Sequence, residues 1–512
     1  MSPSGSTRNS RGGSGAAQVS LTTERRAFLY APRDSLFFIF GIVSTSAAFI
    51  ALPASQVDTK VFWSSISLAC CLAALFFLQF SKYRFFGLYE CKLSSWFLAY
   101  AVLAFGIATL TILQPQTGSS LAVDKSSVPR ALFLVGLSFV AWTAGNMLGA
   151  AKIVRNPFAL GIAMITRGLS VNVRGRGALI AVFLAGLMGD FLRIDVGGQF
   201  GYLGNNILVT VGSASWYTQP FIILSGLKAA ALFGLSYRVF VMRLDQMWYL
   251  LVPITSLALA LGLLTGMKES FVGTAIAVGI PFLLGNSRRR VLPIVAAVLA
   301  FTLVVTPIVT GLRVAVRGGS GALDVKTALS VGIKKITSGS ETFSAGSEPS
   351  GGVSTLTRVR LVDNLALIYT KTPSQLPYRS VDELLAAPVT GLVPRALWPS
   401  KPVNISGLDF YRQYYGGTAL SSSAITLEGS LFLYGGTLAL LFGMLIVGAL
   451  MRGLDEAMRV WESPQGAFLF VVVGIIVVKQ ELDVAGFLAS IAPLAISWAL
   501  GSILIFARVP GE

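Results

Sequence analysis

The sequence lacks histidine altogether and contains only three cysteines in 512 residues. Histidine is a frequent metal ligand and general base, so any chemistry here depends on carboxylates, lysine, arginine, tyrosine or serine. Cys70 and Cys71 lie inside one hydrophobic run, and Cys91 lies in a short connection. The sequence therefore predicts no disulfide framework, no metal and no cofactor.

Charged residues are also scarce, at 12% of the chain against 54% hydrophobic residues, and the mean hydropathy is +0.72. These values exclude a soluble globular protein and are typical of a polytopic membrane protein. Apolar runs of about 17–25 residues recur, each long enough to cross a membrane as a helix. We predict an all-α membrane protein with about twelve spans, at residues 35–54, 61–80, 94–114, 131–151, 177–193, 216–237, 246–265, 271–286, 291–311, 429–451, 466–479 and 484–507.

The first residues of the chain contain no apolar run of the kind that a cleavable signal peptide requires. Residues 1–34 are rich in Ser, Gly and Arg and are predicted to form a disordered cytoplasmic tail. Lys and Arg are concentrated in this tail and in alternate connections, as the positive-inside rule requires. The pattern places both termini in the cytoplasm, with spans one to nine in residues 35–311 and spans ten to twelve in residues 429–512.

The same alternation places residues 312–428, between spans nine and ten, on the outer face as one large loop with short helices. Residues 318–354 are rich in Gly and Ser and are predicted to be flexible. Residues 355–428 are predicted to bind substrate. The loop carries twelve Lys and Arg against eight Asp and Glu, so it favours anionic lipids or phosphorylated lipids as partners and makes nucleic acid an unsuitable one.

Three prolines, a tryptophan and two cations crowd into residues 391–402 of this loop. Proline fixes φ and disfavours helix in the preceding residue, so a stiff, non-helical segment is expected. Arg395 offers a fork for phosphate, Lys401 adds a point charge, and Trp398 offers a flat surface for a sugar ring. The alternative is a membrane-interface anchor, in which the tryptophan and the cations contact lipid headgroups.

Ionisable residues also collect where the predicted spans end on the outer face, at Arg193, Asp195, Lys268, Glu269 and Glu428. One convergent outward-facing site would explain them, and simple marking of helix ends in the headgroup layer is the alternative. A lysine near the middle of the sixth span, at position 228, is a further candidate whose partner the sequence does not identify.

Three stretches together resemble the Wzy-type O-antigen and oligosaccharide repeat-unit polymerases of bacteria. They are Pro-Arg-Ala-Leu-Trp-Pro-Ser-Lys-Pro at 394–402, Gly-Gln-Phe-Gly-Tyr-Leu-Gly at 198–204 and Gly-Met-Lys-Glu at 266–269. The resemblance covers residues 190–440 and is most specific at 394–402. It implies a multi-span, GT-C-like glycosyltransferase in the bacterial plasma membrane, with its site facing outside.

The substrate that this resemblance implies is an oligosaccharide carried on undecaprenyl pyrophosphate, which the enzyme would join into a longer chain. The bilayer is an expected partner, together with a chain-length regulator and a flippase. An enzyme that adds a single sugar from a polyprenyl phosphate is one alternative. A transporter of the same lipid-linked sugars is another, although the chain shows no evident internal repeat.

Glycosyl transfer of this kind needs cations for the leaving pyrophosphate and a carboxylate that accepts the proton of the attacking hydroxyl. The candidate catalytic residues are Glu428, Glu269, Asp195 and Arg395. The candidate substrate-binding residues are Arg193, Tyr202, Lys268, Arg358, Arg360, Trp398, Lys401, Tyr411, Tyr414 and Tyr415.

Overall fold

The computed structural model describes residues 56–80, 91–113, 123–149, 152–195, 218–264, 268–285, 359–393, 397–398, 406–416, 425–478, 481 and 483–509. The predicted tail 1–34, the predicted first and ninth spans and the predicted flexible segment 318–354 lie outside these residues.

The described part of the chain is mostly helical, as the apolar runs predicted. Its first elements are α1 (Val57–Phe80), α2 (Leu93–Ala101), α3 (Val128–Gly149), α4 (Lys152–Thr166), β1 (Leu169–Val173), α5 (Arg176–Asp195), α6 (Thr218–Phe240), α7 (Trp248–Leu264) and α8 (Lys268–Leu284). The later elements are α9 (Val362–Lys371), α10 (Val381–Leu392), α11 (Ser406–Tyr415), α12 (Leu427–Leu433), α13 (Gly436–Met458), α14 (Pro464–Val478), α15 (Val484–Ile505) and β2 (Phe506–Arg508). The helix of α2 continues as a π-helix over Val102–Ile107 and a 3-10 helix over Ala108–Leu113.

Five helical stretches in the described residues are long and apolar enough to cross a membrane: Leu93–Leu113, Lys125–Gly149, Pro220–Phe240, Gly436–Met458 and Val484–Ile505. Backbone groups in hydrocarbon must pair internally, and a helix satisfies them all within one segment. The chain is therefore a mostly helical, membrane-embedded protein. The total of twelve spans and their orientation stay predictions.

The tenth predicted span, 429–451, is wrong in its bounds. The long helix begins at Gly436 and ends at Met458, and residues before it form the separate short helix α12. Gly436 has a φ of +67°, in the left-handed region that glycine adopts without a steric penalty, so the chain turns between the two helices. Glu428 consequently belongs to a short helix ahead of the span, which changes its surroundings.

A small sheet, which the all-α prediction did not include, closes one end of the helix bundle. The strands β1 and β2 pair antiparallel, with Leu169 opposite Arg508 and Val173 opposite Phe506. Beside them, the guanidinium of Arg174 donates to the carbonyls of Phe506 and Ile503, at 2.9 and 3.0 Å. We call this end the sheet end. Both strands lie in segments that the charge pattern assigns to one side of the membrane.

The N-terminus of α2 lies at the same end and is held by a carboxylate from α13. Asp455 is buried, and its two oxygens accept hydrogen bonds from the backbone N–H groups of Leu93 and Ser94, at 2.6 and 3.1 Å. The first N–H groups of a helix have no partner inside the helix, so this carboxylate satisfies two of them. Since α13 ends near the sheet, its first residue, Gly436, lies at the opposite end, which we call the loop end.

Glycines bring α3 and α13 into backbone contact in the middle of the bundle. A Cβ atom added at Gly145 would lie 1.8 Å from the carbonyl oxygen of Leu445, and one at Gly448 would lie 2.0 Å from that of Trp142. Close approach of this kind is a common way for membrane helices to gain dispersion contacts. The fully buried rings of Phe97 and Trp142 stack beside this contact, with centroids 5.7 Å apart.

Candidate active site

The short helix α12 carries Glu428 into the protein at the loop end. Thr426 is its N-cap, and the threonine hydroxyl accepts the backbone N–H of Gly429 at 2.8 Å. The next turn packs on α9, because a Cβ atom at Gly429 would meet the Cδ1 of Ile368 at 2.7 Å. The Glu428 side chain is enclosed as a result and is 0% exposed.

The carboxyl group of Glu428 has an unusual environment. Within the described residues neither of its oxygens has a hydrogen-bond partner. Burial disfavours the charged form and raises the pKa of this carboxyl from its ordinary value of 4.5 to about 8. A carboxyl that titrates near neutral pH can both take and return a proton, which is what a general base or acid requires.

The second charged feature is the pair formed by Arg360 and Asp363, at the start of α9. The Nε and Nη2 atoms of the arginine donate to Oδ2 of the aspartate, at 2.8 and 2.6 Å. Its Nη1 atom donates to the hydroxyl of Thr111, at the end of the α2 span, at 2.9 Å. Arg360 precedes the helix, which begins at Val362, so the pair connects the approaching chain to the first turn of α9. The guanidinium is buried and fastens the loop to the bundle.

The other oxygen of Asp363 has no partner in the described part of the chain. Burial raises the pKa of this carboxyl, and the adjacent Arg360 guanidinium opposes that rise. The fully buried carboxyl of Glu428 on α12 and the half-buried one of Asp363 on α9 thus lie on helices that pack against each other at the loop end.

Aromatic side chains of α11 cover the outer side of α9. The buried ring of Tyr414 stacks on Phe410, with centroids 4.7 Å apart, and its hydroxyl bonds to Thr372. The half-buried rings of Tyr411 and Tyr415 stack at 5.4 Å. Tyr415 donates its hydroxyl to the Asn364 side chain on α9. Of the three predicted sugar-stacking tyrosines, Tyr414 is therefore taken up by packing, and the other two retain partly exposed rings.

Asp483 lies in the connection between α14 and α15 and binds it to α12. Its Oδ1 atom accepts the hydroxyl of Ser430 at 2.6 Å and lies 3.8 Å from Nη1 of Arg379. The backbone N–H of Arg379 in turn donates to the carbonyl of Leu433 at 2.8 Å. None of Asp483, Ser430 and Arg379 was among the site residues that the sequence predicted. The threonine at position 426 was readable in the sequence as an N-cap, which marks the start of the helix that contains Ser430.

The remaining predicted site residues divide into two groups. Trp398 is half-buried and lies outside any helix, just after the helix α10 ends at Leu392, as the prolines predicted. The last turn of α5 contains Arg193 and Asp195, and α8 begins at Lys268 and Glu269, although these four side chains lie outside the described part. Tyr202, Arg358, Arg395 and Lys401 lie wholly outside it.

The partner of Lys228, which the sequence did not identify, is Asp190 on α5. The ammonium group donates to one carboxylate oxygen of Asp190, and the hydroxyl of Ser225 donates to the other. A Cβ atom at Gly186 would lie 2.6 Å from the Lys228 backbone nitrogen, so the helices α5 and α6 touch at this point.

Acidic and cysteine side chains in the described residues do not gather in groups of three that would hold a metal ion. The prediction that the protein needs no metal therefore stays untested.

Comparison with known families gives one match. A family model described as Domain of unknown function (DUF8712) matches residues 201–461, just over half of the chain. The matched region contains α9 to α13, with Glu428 and the pair of Arg360 and Asp363, but not Asp190 or Asp483. Curated proteins and solved structures give no match.

Proposed function

The chain belongs to the family described as Domain of unknown function (DUF8712), and we propose that it is a membrane glycosyltransferase. Its substrate is an oligosaccharide carried on undecaprenyl pyrophosphate, and its reaction joins such units into a surface polysaccharide. The site faces outside at a bacterial plasma membrane, with twelve spans and both termini in the cytoplasm. The observation that supports this proposal best is the buried carboxyl of Glu428 next to the loop helices, whose oxygens have no hydrogen-bond partner in the described part of the chain.

In this reaction a hydroxyl oxygen of the acceptor sugar attacks the anomeric carbon of the donor unit. The bond between that carbon and the pyrophosphate oxygen breaks, and its electron pair leaves with the lipid pyrophosphate. The proton of the attacking hydroxyl passes to the Glu428 carboxylate, which a pKa near neutrality allows. Because the carboxyl is fully buried, the acceptor has to displace packing around α12 to reach it.

The cations that would stabilise the leaving pyrophosphate are Arg395 and Lys401, with Arg193 and Lys268 as further candidates. The guanidinium of Arg360 is occupied by Asp363 and Thr111, so its part is to position the loop. Partly exposed rings at Tyr411, Tyr415 and Trp398 are suited to stacking on sugars.

The test is a deletion of the gene in its host, with complementation by wild type, Glu428→Gln or Arg395→Ala. Glu383→Gln, on the exposed side of α10, is the matched control. We expect both site variants to lose the long polymer while single lipid-linked units accumulate outside and the protein stays folded and inserted. A positioned base contributes about 10²–10⁴ in rate, so residual polymer from Glu428→Gln should be small.

Three outcomes would overturn the proposal. Lipid-linked units that remain on the cytoplasmic face would identify a transporter. Full-length polymer made by both site variants would remove the catalytic assignment. If the deletion strain lacks only one sugar in each unit, the protein is a single-sugar transferase.

A further inference from the structure

The helix α10 lies in the segment that the sequence analysis placed outside the membrane, yet its body is apolar on every side. Asp382 and Glu383 lie in its first turn, and no charged residue follows them before the helix ends at Leu392. The hydroxyl of Thr390 is satisfied within the helix, because it donates to the Ala387 carbonyl at 2.8 Å. A helix that is hydrophobic all round is typical of a protein core or a membrane.

One side of α10 packs tightly on the last span, α15. Ala387 is buried, and a Cβ atom at Gly391 would lie 2.0 Å from the carbonyl oxygen of Ala489. The two backbones are therefore in direct contact near the C-terminal end of α10. This contact is with an early turn of α15, which begins at Val484.

The other side of α10 is an exposed apolar stripe. Val381, Leu385, Val389 and Leu392 are 50, 71, 53 and 61% exposed, and their spacing puts them on one face of the helix. Exposed apolar surface on this scale marks contact with another apolar phase. The candidate span α13 shows the same kind of stripe, since Leu438 and Phe442 are 81 and 68% exposed.

Two contacts set the depth of α10 relative to α15. Its N-terminal end is held at the first residues of α15 by the ion pair between Arg379 and Asp483. Its C-terminal end reaches Ala489, which lies about 9 Å further along α15 at 1.5 Å per residue. The helix therefore runs inward from the polar rim beside a membrane span. Its 12 residues measure about 18 Å, too short to cross a core of about 30 Å.

The geometry points to α10 as a half-membrane helix that lies in the acyl-chain region of the leaflet at the loop end, with its exposed stripe against lipid hydrocarbon. The acidic first turn stays at the headgroup level, where water solvates it. Outside its last turn and the carbonyl opposite Pro388, the helical backbone pairs its own polar groups, which hydrocarbon favours. This inference does not depend on the glycosyltransferase proposal, because it concerns only whether lipid or water surrounds one face of a helix.

The test measures which phase surrounds a nitroxide spin label on this face in the full-length protein. Cys70 is exposed and is replaced by Ala, whereas Cys71 and Cys91 are buried, and this parental protein reports any background labelling. Labels are attached to Leu385→Cys and Val389→Cys in vesicles of phosphatidylglycerol and phosphatidylethanolamine. The references are Phe442→Cys, exposed on the span, and Gln413→Cys, exposed on the loop helix α11. Collision with oxygen, which concentrates in hydrocarbon, is compared with collision with a water-soluble nickel chelate.

We expect the labels at 385 and 389 to collide with oxygen more than with nickel, as the label at 442 does. A label preference for nickel, like that expected at 413, would overturn the proposal in favour of a water-exposed surface. Low collision with both reagents, with broadening between labels on two molecules, would overturn it in favour of an interface between copies of this chain. The glycan assay of the parental protein separates this result from the proposed function, since either can fail alone.

Discussion

The ammonium group of Lys228 donates a hydrogen bond to the carboxylate of Asp190 on the neighbouring helix. The pair lies between two helices whose backbones touch at Gly186. Opposite charges that satisfy each other in this way join the two helices, so the pair gives the lysine a structural role.

Removing one member of this pair should be more damaging than removing both. Asp190→Asn or Lys228→Met alone removes one charge of this pair and leaves the other in a largely buried place without it, which costs about 3–5 kcal/mol. The double variant leaves no charge, and its melting temperature in detergent should lie nearer to wild type than that of either single variant. Additive losses in the double variant would show that the two side chains do not depend on each other.

The contribution of Glu428 to the free energy of unfolding should decrease as pH rises from about 4.5 to about 8. The folded-state pKa of this carboxyl lies above its ordinary value, so the folded protein binds more protons than the unfolded chain in that window. The shift corresponds to up to about 5 kcal/mol across the window. Thermal unfolding at a series of pH values measures this dependence.

Glu428→Gln should remove that dependence, because the amide does not titrate. The exposed residue Glu383, changed to Gln, should leave the pH profile of unfolding unchanged. An identical profile for wild type and Glu428→Gln would mean that the carboxyl titrates normally in the folded protein.

Replacing the guanidinium group of Arg360 should weaken the attachment of the large loop to the helix bundle. Arg360→Lys keeps the charge but cannot bind Asp363 and Thr111 at once in the same geometry. We expect faster limited proteolysis at the start of α9, measured by mass spectrometry of the fragments. Thr111→Val removes the bond from Arg360 and the one that its hydroxyl donates to the Ala108 carbonyl, each contributing about 1 kcal/mol, but it leaves the contact of Arg360 with Asp363 intact. It should therefore show a smaller change in the same direction. Equal cleavage rates in wild type and Arg360→Lys would contradict this role.

The contact between α3 and α13 should tolerate no side chain at Gly145. Gly145→Ala places a methyl group 1.8 Å from a carbonyl oxygen, so the helices must separate and the melting temperature should drop. Gly279→Ala in α8 is the matched control, because nothing lies within 4 Å of the added atom there. That control should leave stability unchanged or raise it by up to about 1 kcal/mol, since alanine favours helix. A similar drop in both variants would argue against the close contact.

Helices were predictable from the sequence because a membrane span is a local property, set by an apolar run of sufficient length. The break before Gly436 was harder to see, since residues on both sides of it are equally apolar and hydropathy does not register a turn. The strand β1 escaped prediction for a related reason. Its five residues are too few to distinguish a strand from a connection, and its partner lies at the far end of the sequence.

The sequence predicted which residues belong to the candidate site, but it did not predict which side chains they contact. Their charge, at the edge of an apolar run or in the large loop, made Glu428 and Arg360 conspicuous in the sequence. The contact of Arg360 with Thr111 joins positions 249 residues apart, and that of Asp455 with Leu93 joins positions 362 apart. Only packing brings such groups together, so no local pattern carries this information.

The small sheet also imposes an order on the biosynthesis of the protein. Arg174, beside β1, pairs with a carbonyl that is 332 residues further along the chain. A ribosome therefore delivers β1 long before its partner strand exists, and the edge of β1 stays without its ladder while the later spans are inserted. Pairing with β2 can occur only after α15 has left the ribosome, because β2 directly follows this span in the chain.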